Sequence, residues 1–254
     1  MQCAACAMLA RGVEVPRLLT DLFHRLPLST QGFVRHVCRW WRWWRSAVAM
    51  RGRIVFGKAV RLFARPPFPE HPEGKRFVHL GCGEVNHPDF VNVDAIPRPH
   101  VHYVGNISRL SMFRDQSVDF LYASHCLEHV SYRKTVEVLA EWYRVLKPGG
   151  VLRISVPDLD LLIDIYESCD RNLNYIIGQL YGGHDNSYNV HMAIFNRSSL
   201  EQLMISVGFE DCRLWSPYSD RLSAMEDFSS YKRKIGEASY PVSLNLEATK
   251  PGAI

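Results

Sequence analysis

The stretch Phe77-Val-His-Leu-Gly81-Cys82-Gly83, followed by Phe90-Val-Asn-Val-Asp94, decides the fold of this 254-residue chain. An apolar run that enters a glycine turn reads as a buried strand feeding a loop whose backbone can approach a ligand closely. The next run ends on a carboxylate. At a strand tip beside such a loop, that carboxylate can accept hydrogen bonds from both hydroxyls of a ribose. The pair therefore predicts an α/β sheet with a nucleoside-binding edge.

Further strands are expected at 102–104, 118–123 and 151–156, and two more at 212–214 and 243–248 bring the total to seven. Between the fourth and fifth lies a helical pattern over 132–146, with Val136, Leu139, Ala140, Tyr143 and Leu146 on one face. Lys147-Pro148-Gly149-Gly150 stops it. A second helix is expected from Ser198, where Ser198 and Glu201 make a capping box before Leu200, Leu203, Met204 and Val207, and Gly208 closes it. Residues 157–196 exceed the length of a strand-to-helix link and are expected to form an inserted helical lid over the carboxyl edge of the sheet. Only six residues separate Gly83 from Phe90, whereas a parallel crossover needs about a dozen or more. The first helix must shrink to a turn, leaving one face of the sheet bare.

Composition narrows the setting. With 47% hydrophobic residues the chain can bury one sizeable core and a small appendage. Its longest stretch without Asp, Glu, Lys or Arg is the thirteen residues 172–184, short of the roughly 20 that span a bilayer. Residues 1–10 lack a secretory pattern, and the seven cysteines show no disulfide framework, so a cytoplasmic protein is expected. Cys3 and Cys6 have metal-ligand spacing, but no second pair follows and no metal is assigned to them.

Charge is divided along the chain. Residues 1–76 carry fourteen Lys or Arg against four Asp or Glu, a net of +10. Residues 1–74 are therefore read as a basic helical extension before a second domain, 75–254. Within 33–48, Arg35, Arg39, Arg42 and Arg45 gather on one helical side, with Val37, Trp40, Trp41 and Trp44 towards the other. Such a stripe suits peripheral attachment to an anionic inner-membrane face. The reading preferred here packs the tryptophans onto the bared sheet face. No RNA-binding module is visible, so no nucleic acid partner is expected.

After the fourth strand comes Ser124-His125-Cys126-Leu-Glu128-His129, and later Glu141-Trp-Tyr-Arg144-Val-Leu-Lys147-Pro-Gly-Gly150. In this order with Gly81, Gly83 and Asp94, these motifs resemble the class I S-adenosylmethionine (SAM)-dependent methyltransferases, over about residues 76–215. The likeness is to a small bacterial group associated with glycan biosynthesis. It implies a Rossmann-like, mostly parallel sheet of seven strands, with SAM as cofactor. By position, Gly81, Cys82 and Gly83 would lie under the methionine part and Asp94 would hold the ribose. Asn106 and Ile107 would flank the adenine, Asn106 replacing the usual acid, and Ser124 and His125 would close the cofactor site. Methyl transfer to a hydroxyl of a sugar, or of another small or lipid-linked acceptor, is the implied reaction. His125, His129 and His191 are the candidate proton acceptors.

The same residues admit other readings. His125-Cys-Leu-Glu128-His129 matches the inverted zinc-hydrolase pattern His-x-x-Glu-His, which requires a helix where residues 118–123 read as a strand. It is also similar to the Glu-x-x-Glu-His cation ligands of ubiquinone-pathway and small-RNA O-methyltransferases, with the first Glu replaced, although Leu-Glu-His also merely begins a helix in metal-free relatives. His184 and His191 read more simply as polar lid surface. A SAM-binding protein without turnover is a further alternative.

Overall fold

In the computed structural model, residues 52, 54–59, 66–71 and 73–252 are described. The stripe in 33–48 and the pair Cys3 and Cys6 lie outside them. The chain divides into two compact units, 1–52 and 53–254, and everything below belongs to the second.

Strands β1 (Phe77–Leu80), β2 (Val91–Asp94), β3 (Tyr103–Val104), β4 (Val118–Ser124) and β5 (Leu146–Pro157) are parallel neighbours in the order β3-β2-β1-β4-β5. Helix α1 (Thr135–Val145) crosses between β4 and β5. The inserted segment carries α2 (Leu159–Ser168) and α3 (Ile177–Tyr181); α4 (Arg197–Val207) then leads into β6 (Glu210–Leu214). A hairpin of β7 (Lys232–Ile235) and β8 (Ala238–Pro241) precedes β9 (Ser243–Thr249), which runs antiparallel between β5 and β6 and completes seven strands in the main sheet. The hairpin is the element the sequence pattern did not yield.

One sheet face, bearing Val78, Leu80, Leu121, Ala123, Leu152 and Ile154, packs on α1 and α4. The buried stripe of α1 is Thr135, Val138, Leu139, Trp142 and Val145, whereas Val136 and Ala140 point to solvent. The expected face is thus turned by about one position, because the stripe containing Trp142 carries more apolar volume to bury. Trp142 also anchors the helix, its Nε1 donating to Ile107 O at 2.8 Å. The start of α4 is corrected too. Asn196 Oδ1 accepts from Ser199 N, and Asn196 N donates in return to the Ser199 hydroxyl oxygen, while Glu201 pairs with Arg197. Gly208, left-handed at φ 111°, ends that helix as expected.

No helix forms between Gly83 and Phe90, in keeping with the short link. The face it would have covered is nevertheless filled, from further along the chain. Trp215, Leu222 and Met225 close over Phe90, Phe120 and Tyr122. Arg153 lies there between the rings of Phe120 and Trp215, 5.1 and 5.0 Å from their centres, and bonds Glu247 and Asp220. The expectation of a bare face is therefore overturned: a loop, not a helix, supplies the apolar cover. The inserted segment has a small core of its own, Leu162, Ile165 and Ile176 with Val242, backed by Ile235 and Tyr240 of the hairpin.

Candidate functional site

Strand order reverses between β1 and β4, since β2 and β3 lie on one side of β1 and β4 and β5 on the other. In open α/β sheets ligands bind beyond the carboxyl ends of strands at such a reversal. Leu80 pairs with Ala123 there, so the loop from Gly81 and the turn from Ser124 leave the sheet side by side.

The glycine loop is held from below. Gly81 and Gly83 adopt φ values of 63° and 56°, which side chains disfavour. The amides of Gly81 and Cys82 return to Val93 O at 2.8 and 3.3 Å, and Gly83 N donates to Asp94 Oδ2 at 2.9 Å. His100 Nε2 donates to Gly83 O at 3.0 Å. A Cβ on Gly81 would collide with Cys126, whereas one on Gly83 would meet nothing nearer than Gly81 O at 4.0 Å. The space above Gly83 is open, as a loop that cradles a ligand requires. Cys82 is buried, and burial pushes its thiol far above the ordinary range, so this side chain is inert packing.

Asp94 is nearly buried, and three groups already use its carboxylate. Besides Gly83, Ile96 N and Arg98 Nη1 donate to Oδ1 at 2.7 and 3.1 Å. A carboxylate offers about four acceptor sites, so Asp94 keeps room for one further donor while Arg98 stays in place. Asn106 is exposed and its Oδ1 is turned back on Ser108 N at 2.8 Å. Ile107 is half-buried and Ser124 buried.

His125 follows β4 with φ 47°, a conformation costly for a residue with a Cβ. Three contacts hold it: its N–H donates to Ser155 O, Nε2 meets Ser243 Oγ at 2.8 Å, and Nδ1 lies 3.2 Å from Glu128 Oε1. Leu127–His129 is a single 3₁₀ turn and not an α-helix. His125 and His129 therefore do not stand one helical turn apart, and the zinc-hydrolase arrangement is not formed. His191 is 9% exposed in its side chain, which corrects its reading as lid surface; His184 is exposed as expected. His191 Nε2 lies 4.0 Å from Glu128 Oε1, and its ring meets that of His129 edge-on at 4.8 Å. Burial works against ionising Glu128, but the facing imidazoles of His125, His129 and His191 outweigh it and hold the carboxyl below its ordinary value. His191 is itself shifted down, by burial.

Sequence reasoning missed Arg98, His100 and Ser243. Arg98 stands four residues after Asp94, a spacing that could have suggested the ion pair. Ser243 is 118 residues from His125 and gave no local signal.

A family model described as a methyltransferase domain matches residues 80–154. That match covers the region from β1 to β5 in which the sequence resembles the class I SAM-dependent methyltransferases. The open loop over Gly83, with the carboxylate of Asp94 beside it, fits SAM, the cofactor that this resemblance implies. Among relatives of this chain, a ubiquinone/menaquinone biosynthesis C-methyltransferase of Vibrio campbellii is 31% identical over 46% of this chain and 47% of its own length. The corresponding protein of Pasteurella multocida is 32% identical over 46% of each. The chain thus spans somewhat under half the length of these relatives. A solved structure from Thermotoga maritima, described as a possible histamine N-methyltransferase, is 22% identical over 86% of this chain and 98% of its own, with a TM-score of 0.45.

Proposed function

We propose that the protein transfers a methyl group from SAM to a hydroxyl of a sugar, or of another small or lipid-linked acceptor. One observation carries the transfer: the glycine loop of β1, Asp94 of β2 and Ser124 of β4 meet where strand order reverses, with open space above Gly83. When bound, SAM supplies an electrophilic methyl carbon, and what remains for the protein is alignment and exclusion of water. In this reading Gly81, Cys82, Gly83, Asp94, Asn106, Ile107 and Ser124 hold the cofactor, and the segment 157–196 acts as the lid. His125, His129 and His191 are the polar groups on the acceptor side, all gathered round Glu128. That polar grouping favours an oxygen acceptor. The names of the Vibrio and Pasteurella relatives favour a second reading, methylation of a ring carbon in a quinone precursor.

Calorimetry of the full chain should show micromolar SAM binding. Incubation with sugar, lipid-linked and quinone-precursor acceptors should then release S-adenosylhomocysteine with a hydroxyl-bearing one. Absence of SAM binding would overturn the proposal. Tight binding with no S-adenosylhomocysteine from any acceptor would make this a SAM-binding protein without turnover, and release with the quinone precursor alone would select the second reading.

A further inference from the structure

Glu128, His129 and His191 bring one ligand atom each within 4.8 Å of the others. The tautomers of both histidines follow from their partners. His129 Nδ1 faces Val190 O at 3.1 Å and His191 Nδ1 faces Gln179 O at 2.7 Å. A carbonyl oxygen can only accept, so each Nδ1 carries its proton and each Nε2 presents a lone pair. Anchoring of one ring nitrogen by a backbone carbonyl is also how metal-binding histidines are oriented.

Glu128 is 1% exposed, and neither of its carboxylate oxygens has a hydrogen-bond partner among the described residues. The contact that remains is His125 Nδ1, 3.2 Å from Oε1. Three potential ligand atoms thus converge about the buried carboxylate, an arrangement that calls for a positive charge at its centre, and a cation or a single imidazole proton supplies one. Two imidazolium rings do not solve this, because His129 and His191 touch ring to ring. The cluster is also held by its backbone: Met192 N and Ala193 N both donate to Glu128 O, at 2.7 and 3.2 Å, locking the segment of His191 against the turn of Glu128 and His129.

We propose that Glu128, His129 and His191 bind a first-row divalent cation of the zinc, cobalt or manganese kind. Two imidazole nitrogens and one carboxylate form a donor set that suits these ions and not magnesium or calcium, which prefer all-oxygen shells. Three protein ligands leave at least one coordination position open. His125 is a positioning residue here, holding Glu128 from outside the cluster. The binding does not rest on the methyl-transfer reading; use of the open position by an acceptor oxygen would.

The test uses the full chain, stripped with a chelator and titrated with Zn²⁺, Co²⁺, Mn²⁺ and Mg²⁺ in the absence of SAM. One equivalent of Zn²⁺ or Co²⁺ should bind, with Mg²⁺ at least tenfold weaker, and the Co²⁺ spectrum should lack the thiolate charge-transfer band. His191→Gln and His129→Gln should each weaken binding by more than the roughly 10–100-fold that loss of an outer-shell partner costs, and His125→Ala should fall within that range. His184→Ala should bind like the parent. Failure of the parent to bind any of the ions overturns the proposal, as does a thiolate band. Should a variant not fold, the parent's Co²⁺ spectrum and histidine NMR shifts on Zn²⁺ addition decide alone: unmoved His129 and His191 signals overturn it. SAM binding that survives metal removal leaves the methyltransferase reading standing whichever way the metal result falls.

Discussion

The side chain of Cys126 occupies the place where a Cβ on Gly81 would fall, with Cys126 Cβ only 2.7 Å from it. This contact ties the loop after β1 to the turn after β4, and Cys126 Sγ adds a weak bond to Leu80 O at 3.6 Å. The two halves of the candidate site are thus positioned on each other, which neither strand alone could do.

Gly81 and Gly83 should therefore respond differently to substitution, although both have positive φ. Left-handed backbone costs a residue with a Cβ about 1–2 kcal/mol, so Gly83→Ala should fold with a melting temperature lowered by about 2–8 °C. Gly81→Ala adds the collision with Cys126 and should lose clearly more. Gly83→Val should remain folded yet bind no SAM in calorimetry, since its side chain enters the open space above the loop. Normal SAM affinity in that variant would remove the loop from the site.

Asp94 has a structural task besides the ligand-binding one proposed for it. Its carboxylate fixes Gly83 N, Ile96 N and Arg98, and hydrogen bonds to a charged group contribute about 1.5–3 kcal/mol. Asp94→Ala should weaken SAM binding by that amount and lower the melting temperature as well. If Asp94 served the cofactor alone, affinity would fall with thermal stability unchanged; comparison of calorimetric and melting data separates the two.

His79 provides a pH dependence independent of the site. It is buried on the loop-covered face beside Phe90 and Tyr122, and burial lowers its pKa to about 4, with Asp227 opposing and His87 and His100 adding slightly. Between the unfolded value near 6.5 and the folded value near 4, the unfolded chain binds the extra proton. Stability contributed by neutral His79 is thus fully present above pH 6.5 and lost as the pH falls towards 4, on the order of 3 kcal/mol in all. His79→Phe should flatten the unfolding free energy across this window in denaturant titrations. An unchanged slope would mean that other groups set the acid limb.

The main sheet was legible because its strands are short apolar runs bounded by glycine, proline or charge, and those signals are local. The phase of α1 was less so: Val136 and Trp142 are both apolar, and only the volume on the stripe of Val138, Trp142 and Val145 decides which face turns inward. The cap of α4 was misplaced by two residues because Asn196 and Ser198 are both good capping residues. In the hairpin, Lys232-Arg-Lys-Ile235 has too many charges to read as a strand. At the site, the loop, Asp94 and His125 lay within recognisable motifs. The closing of Glu128 and His129 upon His191 depends instead on a 61-residue return to Val190 that no local pattern encodes.

Arg153 tests how the loop substitutes for the missing first helix. Its guanidinium lies between Phe120 and Trp215 while bonding Glu247 within the sheet and Asp220 in the covering loop, so it couples that loop to β5 and β9. Breaking a buried ion pair by removing one partner costs about 3–5 kcal/mol. Arg153→Ala should fall near the lower end, because Glu247 keeps Arg213 at 2.7 Å, and should lower the melting temperature by about 10 °C. Asp220→Ala should cost much less, its side chain being 45% exposed. Combining Arg153→Met with Glu247→Leu should restore most of the loss, since both charges then leave together and the methionine stem still fills the gap between the rings. If Arg153→Ala melts like the parent, the loop is held by its apolar contacts alone and the arginine is only a spectator between them.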